Sequence, residues 1–400
     1  MPMPGPLRAY LDYNATTPVD ASVLDAMLPF LADNFGNASS IHSAGQRARA
    51  AVDRARDSVA ALVGAKPAEI VFTSGGTESD NLAIFGVASA VAANSAGAPK
   101  HIIASAIEHH AVLNSCQTLE LQGVDVSYVR GGSSGVVDPD EIRRALRPET
   151  ILISVMHANN ELGTIQPIEE IGRIAAEADV YFHCDAVQSA GKLPLDVRQL
   201  GVDLLSISAH KIYGPKGVGA LYVRTGTPLA PQSYGGHHER DRRRGTENVP
   251  GIVGLGQAAE LAIANLATEP QRIRAMRDRL ERAILESVAS VRVNGDTTRR
   301  VANTTNLSFA AAGGEAMLIA LDLLGIACST GAACSSGAVE PSHVLLAIGL
   351  SADEARSSLR FSLGRQTTDE EIDHAIAAIP AVVERLRALS PRAATVVTGR

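Results

Sequence analysis

Between residues 69 and 223, short apolar runs rich in β-branched residues alternate with stretches of helical periodicity. Such short strands, separated by amphipathic helices, are typical of a mostly parallel sheet with helices on both faces. The predicted strands are 70–72, 101–105, 124–129, 151–155, 180–184, 204–207 and 219–223. The alternation therefore predicts an α/β fold built on a seven-stranded sheet.

The pattern changes after Pro250. One long helical stretch, 253–291, leads into short strands at 292–294, 305–309 and 359–363, and a last helix is predicted over 368–389. We expect a smaller α+β domain here. The predicted division is an N-terminal segment 1–15 that packs with the small domain, a large domain 16–255, a small domain 256–390 and a flexible tail 391–400.

Composition narrows the functional class. The 400 residues are 46% hydrophobic and 20% charged, with a formal net charge of -7. These values indicate an ordered chain without a general affinity for nucleic acid. No apolar run is long enough to cross a bilayer, and prolines at 2, 4 and 6 interrupt the place where a signal peptide has its apolar core. We expect a cytoplasmic protein without a membrane partner.

A glycine turn follows the first predicted strand, where residues 73–80 read TSGGTESD. At the start of a helix, free backbone N–H groups and the helix dipole can bind an anion, and Thr77 adds a hydroxyl. An ordinary glycine turn with a helix cap explains the stretch equally well. No lysine follows the glycines, so this is not a nucleotide-binding P-loop.

Two charged residues follow neighbouring strands of the predicted sheet. Asp185 comes directly after one buried strand and Lys211 follows the next, with Lys216 as the nearest other amine in the sequence. Desolvation at such a place can lower the pKa of a lysine and make it nucleophilic. A cofactor with an aldehyde, a basic ring nitrogen and a phosphate would use Lys211, Asp185 and the Thr77 turn. Pyridoxal 5′-phosphate has these three groups.

The chain has four cysteines, too few and too irregularly spaced for a disulfide framework or a zinc site, and no metal is expected. Cys116 and Cys184 lie in apolar patterns and are expected to be buried. Cys334 lies among small residues in CSTGAACSSG, which favours an exposed, reactive thiol. Cys328 follows the apolar run LGIA, so we expect it to be held and buried.

Nine segments resemble one family in order and spacing. They are YLDYNATTP (10–18), FGN (35–37), TSGGTESDN (73–81), EH (108–109), MHANNELG (156–163), DAVQ (185–188) with HKIYGPKG (210–217), and RRGT (243–246) with RFSLGR (360–365). The chain thus resembles the cysteine desulfurases of the NifS and IscS type, class V, fold-type I pyridoxal-phosphate enzymes. The likeness implies a homodimer that converts L-cysteine to L-alanine.

The resemblance also implies individual roles. Lys211 would bind the cofactor covalently, Asp185 would pair with its ring nitrogen, and His109 would stack on the ring. Cys334 would take the sulfur as a persulfide. The remaining implied roles are hydrogen bonds to ring substituents from Asn160 and Gln188, phosphate binding by Gly76, Thr77, Ser208 and His210, phosphate binding across the dimer by Thr246, and substrate carboxylate binding by Arg360 with Asn37.

Alternatives stay open at this point. A selenocysteine lyase or an aminotransferase of the same fold would use the same cofactor residues without needing Cys334. A non-catalytic sulfur or iron carrier would use cysteines and histidines as ligands. The acceptor protein is not identified by the sequence either, since iron–sulfur cluster assembly, tRNA thiolation and DNA sulfur modification all consume such sulfur. His109 and Lys211 are both candidates for the base that deprotonates Cys334.

Overall fold

The computed structural model describes residues 9–94, 97–331 and 340–389. The strands in these ranges are β1 Ala9–Tyr10, β2 Ile70–Thr73, β3 His101–Ser105, β4 Asp125–Val129, β5 Thr150–Ser154, β6 Tyr181–Asp185, β7 Leu204–Ser208, β8 Gly219–Val223, β9 Val291–Val293, β10 Thr304–Phe309, β11 Ile326–Ala327 and β12 Ser358–Ser362. The α-helices are α1 Ala21–Leu31, α2 Ser43–Val63, α3 Gly76–Asn94, α4 His110–Leu121, α5 Pro139–Ala145, α6 Ile168–Glu177, α7 Val197–Leu200, α8 Val249–Asn265, α9 Glu269–Ser287, α10 Gly314–Leu323, α11 His343–Ala347, α12 Ala352–Arg356 and α13 Asp369–Leu389.

The large sheet has the strand order β2-β8-β7-β6-β5-β3-β4. Its strands are parallel except β8, which runs antiparallel to both of its neighbours. The seven predicted strands agree with the structure to within one residue at each end, which confirms the α/β fold. Central strands such as β7 are buried along their whole length, and burial on both faces is why they read as continuous apolar runs.

Helices cover both faces of this sheet and contribute to two separate apolar cores. Helix α2 places Ala48, Val52, Ala55 and Val59 on one buried face at helical spacing. It ends at Gly64, whose left-handed φ of 70° lets its N–H reach the carbonyl oxygen of Ala60. The neighbouring helix α8 packs closely, because a Cβ at Gly256 would lie 2.7 Å from Cα of Ala55.

A second, smaller unit contains the antiparallel sheet β12-β10-β9 and its own apolar core. Helices α9, α10 and α13 supply buried residues to that core. The beginning of the described chain joins it as well, because β1 pairs in parallel with β11 and Leu11 is fully buried. The last helix begins within one residue of its predicted start and ends where predicted.

The predicted single helix over 253–291 is wrong. The structure has two helices, α8 and α9, that are bent by 77° relative to each other. Pro270 lies in the first turn of α9, where its missing N–H is tolerated, whereas within a continuous helix it would remove a hydrogen bond. Since α8 packs in the core of the large unit, we propose that the domain boundary lies at this bend, not at residue 255.

Within the ranges that the structure describes, no single helix combines the length and apolar character needed to cross a membrane, and only the bent pair of α8 and α9 meets those criteria when taken together.

Candidate active site

A cavity of about 330 Å³ lies at the carboxyl edge of the large sheet. The polar residues that end β6 and β7 open onto it, as does the start of α3. This is the edge at which doubly wound sheets bind ligands. The predicted site residues that line the cavity are Gly76, Thr77, His109, Asn160, Asp185, Gln188, Ser208, His210, Lys211 and Arg360.

Two predicted site residues do not line this cavity, and a third lies outside the described residues. Asn37 and Thr246 are exposed and do not line it. The single chain does not test the role expected of Thr246, which involves a second copy. Cys334 lies outside the described residues, but Ser329 and Gly331, just before that segment, line the cavity.

The start of α3 forms one end of the cavity. Gly75 has a φ of 155°, a value that side chains rarely allow, and a Cβ at Gly219 would lie 2.7 Å from Cα of Gly75. The glycines therefore let two backbones approach closely. The hydroxyl of Ser208 is buried there and has no hydrogen-bond partner among the described residues. The helix N-terminus and this free hydroxyl together suit a phosphate group.

Asp185 forms the floor of the cavity and is 5% exposed. Burial, with a contribution from nearby Asp80, raises its pKa to about 7, and the N–H of Val187 donates to its Oδ1 at 2.9 Å. A buried carboxylate of this kind is stabilised by a cation, such as a protonated ring nitrogen. Asp80 was not identified from the sequence, where it reads as an ordinary polar residue in the first turns of a helix.

Asp80 belongs to a buried polar cluster beneath the floor. The ring of His183 contacts the hydroxyl groups of Ser154 and Ser206 at 2.9 and 3.0 Å, and its Nε2 lies 3.5 Å from Oδ1 of Asp80. Burial raises the pKa of Asp80 to about 7 and lowers the pKa of His183 to about 4. At pH 7 the ring of His183 is therefore neutral and the carboxyl of Asp80 is about half protonated, because burial disfavours the charged form of each group.

Lys211 lies in a short 3-10 turn directly after β7. Its Nζ donates to the backbone carbonyl oxygens of Asn14 and Ala15 at 2.6 and 2.7 Å. Burial, and then the charge of Arg360, lowers its pKa to about 8, which makes the amine more nucleophilic near neutral pH. Lys216 is exposed, whereas Lys192, not identified from the sequence, has a second buried amine near the site.

His109 caps the N-terminus of α4, because its Nδ1 accepts a hydrogen bond from the N–H of Ala111 at 3.1 Å. The proton of the neutral ring is thus on Nε2. Part of the surface of His109 is open to solvent. The surrounding cavity walls nevertheless desolvate the ring, and this desolvation, followed by the charge of Lys211, lowers the pKa of His109 to about 4. His110 turns away to the ring of His343, 4.6 Å between centroids. The described residues contain no metal-binding cluster.

Arg360 lies on β12 of the small unit and is 4% exposed. Its guanidinium donates to the carbonyl oxygen of Asn160 at 2.9 Å and to Oδ1 of Asp12 at 2.6 Å. Its Nε is buried without a partner among the described residues, so one donor stays available to an anion. The partner Asp12 was missed, although it lies in the YLDYNATTP segment.

Asn14, in the same segment, connects the two units and was also missed. It is 2% exposed, and its Nδ2 donates to the carbonyl oxygen of Asn160 and to Oγ1 of Thr304 at 3.0 and 2.8 Å. The backbone carbonyl oxygen of Asn14 accepts from Nε2 of Gln188 at 2.9 Å. Hydrogen bonds across such distances in the sequence leave no local pattern, so only the segment as a whole could point to them.

The three described cysteines are buried. Burial raises the pKa of Cys328 to about 12 and the pKa of Cys184 well above its usual value. The predicted burial of Cys116, Cys184 and Cys328 is therefore confirmed. None of these thiols ionises readily near neutral pH.

The polar groups around the cavity fit pyridoxal 5′-phosphate. The free hydroxyl of Ser208 and the α3 N-terminus suit its phosphate, and the buried carboxyl of Asp185 suits its ring nitrogen. Oδ1 of Asn160 is also buried without a partner among the described residues and lines the same space. Lys211 supplies the amine that an aldehyde requires.

Comparisons with known proteins agree over nearly the whole chain. The aminotransferase class-V family model matches residues 9–374. A cysteine desulfurase IscS from Dictyoglomus turgidum is 51% identical over 384 residues, 96% of each chain. A solved NifS-like protein is similar with a TM-score of 0.88 at 37% identity, covering 95% of this chain and 100% of that one. A structure described as SspA in complex with cysteine has a TM-score of 0.77 and 41% identity, and the match covers 89% of this chain and 98% of that one.

Proposed function

The chain belongs to the class-V aminotransferase family, and on this premise we propose how its residues carry out the cysteine desulfurase reaction. Such an enzyme depends on pyridoxal 5′-phosphate and converts L-cysteine to L-alanine. The observation that carries the proposal is the meeting of the Gly76–Thr77 turn, Asp185 and Lys211 in one cavity. We propose that Lys211 holds the cofactor and that Cys334 receives the sulfur.

The residues around the cavity would hold the cofactor as follows. Its phosphate would bind to the backbone at Gly76 and to the side chains of Thr77, Ser208 and His210. The other assignments are Asp185 at the ring nitrogen, His109 against the ring face, and Asn160 and Gln188 at ring substituents. When bound, pyridoxal 5′-phosphate withdraws electrons from the substrate carbon next to the amino group, which weakens the Cα–H bond and then the Cβ–S bond.

Cys334, as a thiolate, would then attack the sulfur of the substrate: an S–S bond forms, the Cβ–S bond breaks, and its electron pair stays with the substrate carbons that leave as alanine. A free thiol, with a pKa of about 8.5, is only a few per cent ionised at neutral pH, so a nearby base helps it. Of the two candidate bases, Lys211 suits this task better when its amine is not bound to the cofactor, because its pKa is lowered to about 8. In His109, Nδ1 already accepts from the N–H of Ala111, and the pKa of the ring is lowered to about 4. A persulfide on Cys334 would then pass its terminal sulfur to an acceptor protein.

We propose a homodimer, as the resemblance implies. Exposed apolar side chains on α1 and the loop after it favour a covered surface in this region; these are Leu24, Leu28, Leu31, Phe35 and Ile41. Asn37 lies in the same exposed loop and Thr246 is exposed in the single chain. A cytoplasmic location stays a prediction from the sequence.

The experiment that tests the function is a single incubation of the purified protein with cysteine and pyridoxal 5′-phosphate. A desulfurase forms alanine and carries added sulfur on Cys334. A selenocysteine lyase forms alanine from selenocysteine but not from cysteine, and an aminotransferase needs a keto acid. If no alanine is formed from cysteine, the proposal is contradicted.

Arg360→Ala is expected to raise the KM for cysteine by about 10- to 150-fold, since a charge-assisted hydrogen bond contributes about 1.5–3 kcal/mol. Cofactor content should stay normal, because Arg360 is assigned to the substrate. Steady-state kinetics with matched cofactor loading measures this. The control is Arg356→Ala, a half-exposed arginine at the end of α12 whose nearest acid is 3.7 Å away. An unchanged KM in Arg360→Ala would contradict the carboxylate assignment.

Capture of pyridoxal 5′-phosphate by the apoprotein is expected to speed up with pH and level off near pH 8. Only the neutral amine of Lys211 attacks an aldehyde, and its pKa is lowered to about 8, so the rate rises about tenfold per pH unit below that value. With a free lysine analogue, the rate of reaction with the aldehyde should keep rising up to about pH 10.4. Stopped-flow absorbance from pH 6 to 10 measures both curves, and a protein rate that still climbs at pH 10 would count against a lowered pKa.

A further inference from the structure

Lys192 is a buried amine next to the active site that has no role in the reaction described above. It does not line the large cavity but a second one of about 40 Å³, behind Lys211. Lys192 is half-buried overall, and burial of its amine, followed by the charges of Lys211 and Arg360, lowers its pKa to about 7. Among the described residues no ion pair is formed by Lys192. Burying an amine costs free energy unless hydrogen bonds compensate for the lost water.

The amine of Lys192 makes two hydrogen bonds. Nζ donates to Oε1 of Gln188 at 2.8 Å and to Oδ1 of Asn14 at 3.4 Å. The side-chain oxygen of Gln188 thus faces Lys192, and its amide nitrogen faces the other way. Lys192 in its protonated form only donates, so it favours this orientation of the amide. The amide nitrogen of Gln188 donates to the carbonyl oxygen of Asn14 at 2.9 Å and keeps a second N–H.

The backbone brings the two side chains together by helical turns after β6. The N–H of Ala190 donates to the carbonyl oxygen of Ala186, and that of Lys192 to Ser189, both at 2.9 Å. Residues four apart in such turns are neighbours on one face. Gly191 has a left-handed φ of 69°, and a Cβ there would lie 3.0 Å from Ile212, so the position of Lys192 depends on that glycine.

We propose that Lys192 is a positioning residue that holds Gln188 so that its amide N–H, not its carbonyl oxygen, faces the bound cofactor. This inference rests on the proposed function, in which Gln188 contacts a ring substituent. Apart from the aldehyde and the phosphate, the phenolic oxygen is the polar substituent of the pyridoxal ring. A phenolate oxygen accepts an N–H donor and is repelled by a carbonyl oxygen. Without Lys192, the amide can turn over and lose this contact.

The test measures binding of pyridoxamine 5′-phosphate to the apoprotein by calorimetry. This ligand has the phenolic oxygen and phosphate but no aldehyde, so Lys211 does not capture it. Lys192→Met removes the donor and is expected to weaken binding about tenfold. Lys192→Arg keeps a donor and is expected to stay within about threefold of the wild type. Lys100→Met is the control without effect, because Lys100 is a partly exposed lysine whose Nζ donates to the carbonyl oxygen of Ala98.

A double-mutant cycle separates positioning from a general loss of structure. If Lys192 acts through Gln188, the pair Lys192→Met with Gln188→Ala binds no weaker than Gln188→Ala alone. An analogue that lacks the phenolic oxygen should bind the wild type and Lys192→Met equally. Should Lys192→Met fail to fold, Lys192→Leu takes its place with the same expected loss.

Equal affinity of the wild type and Lys192→Met would overturn the inference, and so would losses that simply add in the double variant. A loss that is the same for the analogue without the phenolic oxygen would also overturn it. A wild-type apoprotein that binds neither pyridoxamine nor pyridoxal phosphate would instead contradict the proposed function. The two failures are therefore distinguishable.

Discussion

Lys211→Ala is expected to abolish covalent attachment of pyridoxal 5′-phosphate and to lower alanine formation from cysteine by at least about a thousandfold. The reason is that Lys211 is the amine placed in the cavity, 2.6 Å from the Asn14 carbonyl oxygen and with a pKa lowered to about 8. Borohydride reduction followed by peptide mass spectrometry locates the attachment, and the absorbance spectrum reports whether a covalent bond forms.

Two other amines serve as controls for this prediction. Lys216 is five residues further on and exposed, and Lys192 has an amine with a pKa lowered to about 7. Lys216→Ala should stay labelled at Lys211 and remain active. A reduced cofactor found on Lys216 or Lys192 in the wild-type protein would show that the assignment to Lys211 is wrong.

Cys334→Ser is expected to lose at least about a thousandfold in alanine turnover while cofactor content stays normal. A serine hydroxyl cannot accept sulfur as a thiolate does, but it leaves the binding of cofactor and substrate unchanged. The first spectral change on adding cysteine should therefore persist. Mass spectrometry after incubation with cysteine should find the added sulfur of the wild type on the peptide of Cys334.

Cys328→Ser is the matched control, six positions earlier in the chain. Cys328 is 8% exposed, and burial raises its pKa to about 12, so its thiol is a poor nucleophile at neutral pH. This variant should keep most of its activity. Added sulfur on the Cys328 peptide, or full activity of Cys334→Ser, would contradict the assignment of Cys334 as the residue that receives the sulfur.

Much of the fold was predictable because its strands are buried on both faces. A strand such as β7, buried along its length, needs an unbroken apolar run, and such a run is visible in the sequence. The bend between α8 and α9 was not predictable from periodicity, since both helices show the same period. It depends on Pro270 at the start of α9 and on the packing of α8 against α2 in the large core.

The sequence by itself determined the chemistry of the site: a lysine, an aspartate and a glycine turn that each follow a strand, and a cysteine among small residues. Each of these signals is local in the sequence. The carboxyl ends of parallel strands lie at one edge of the sheet, so residues that follow such strands meet there whatever the arrangement of the helices. Only the tertiary structure decided which other polar groups form hydrogen bonds around these site residues. Asn14 meets Thr304 at 2.8 Å across 290 residues, and Lys192 becomes buried beside Gln188. Burial and long-range hydrogen bonds arise from packing, so no local pattern records them.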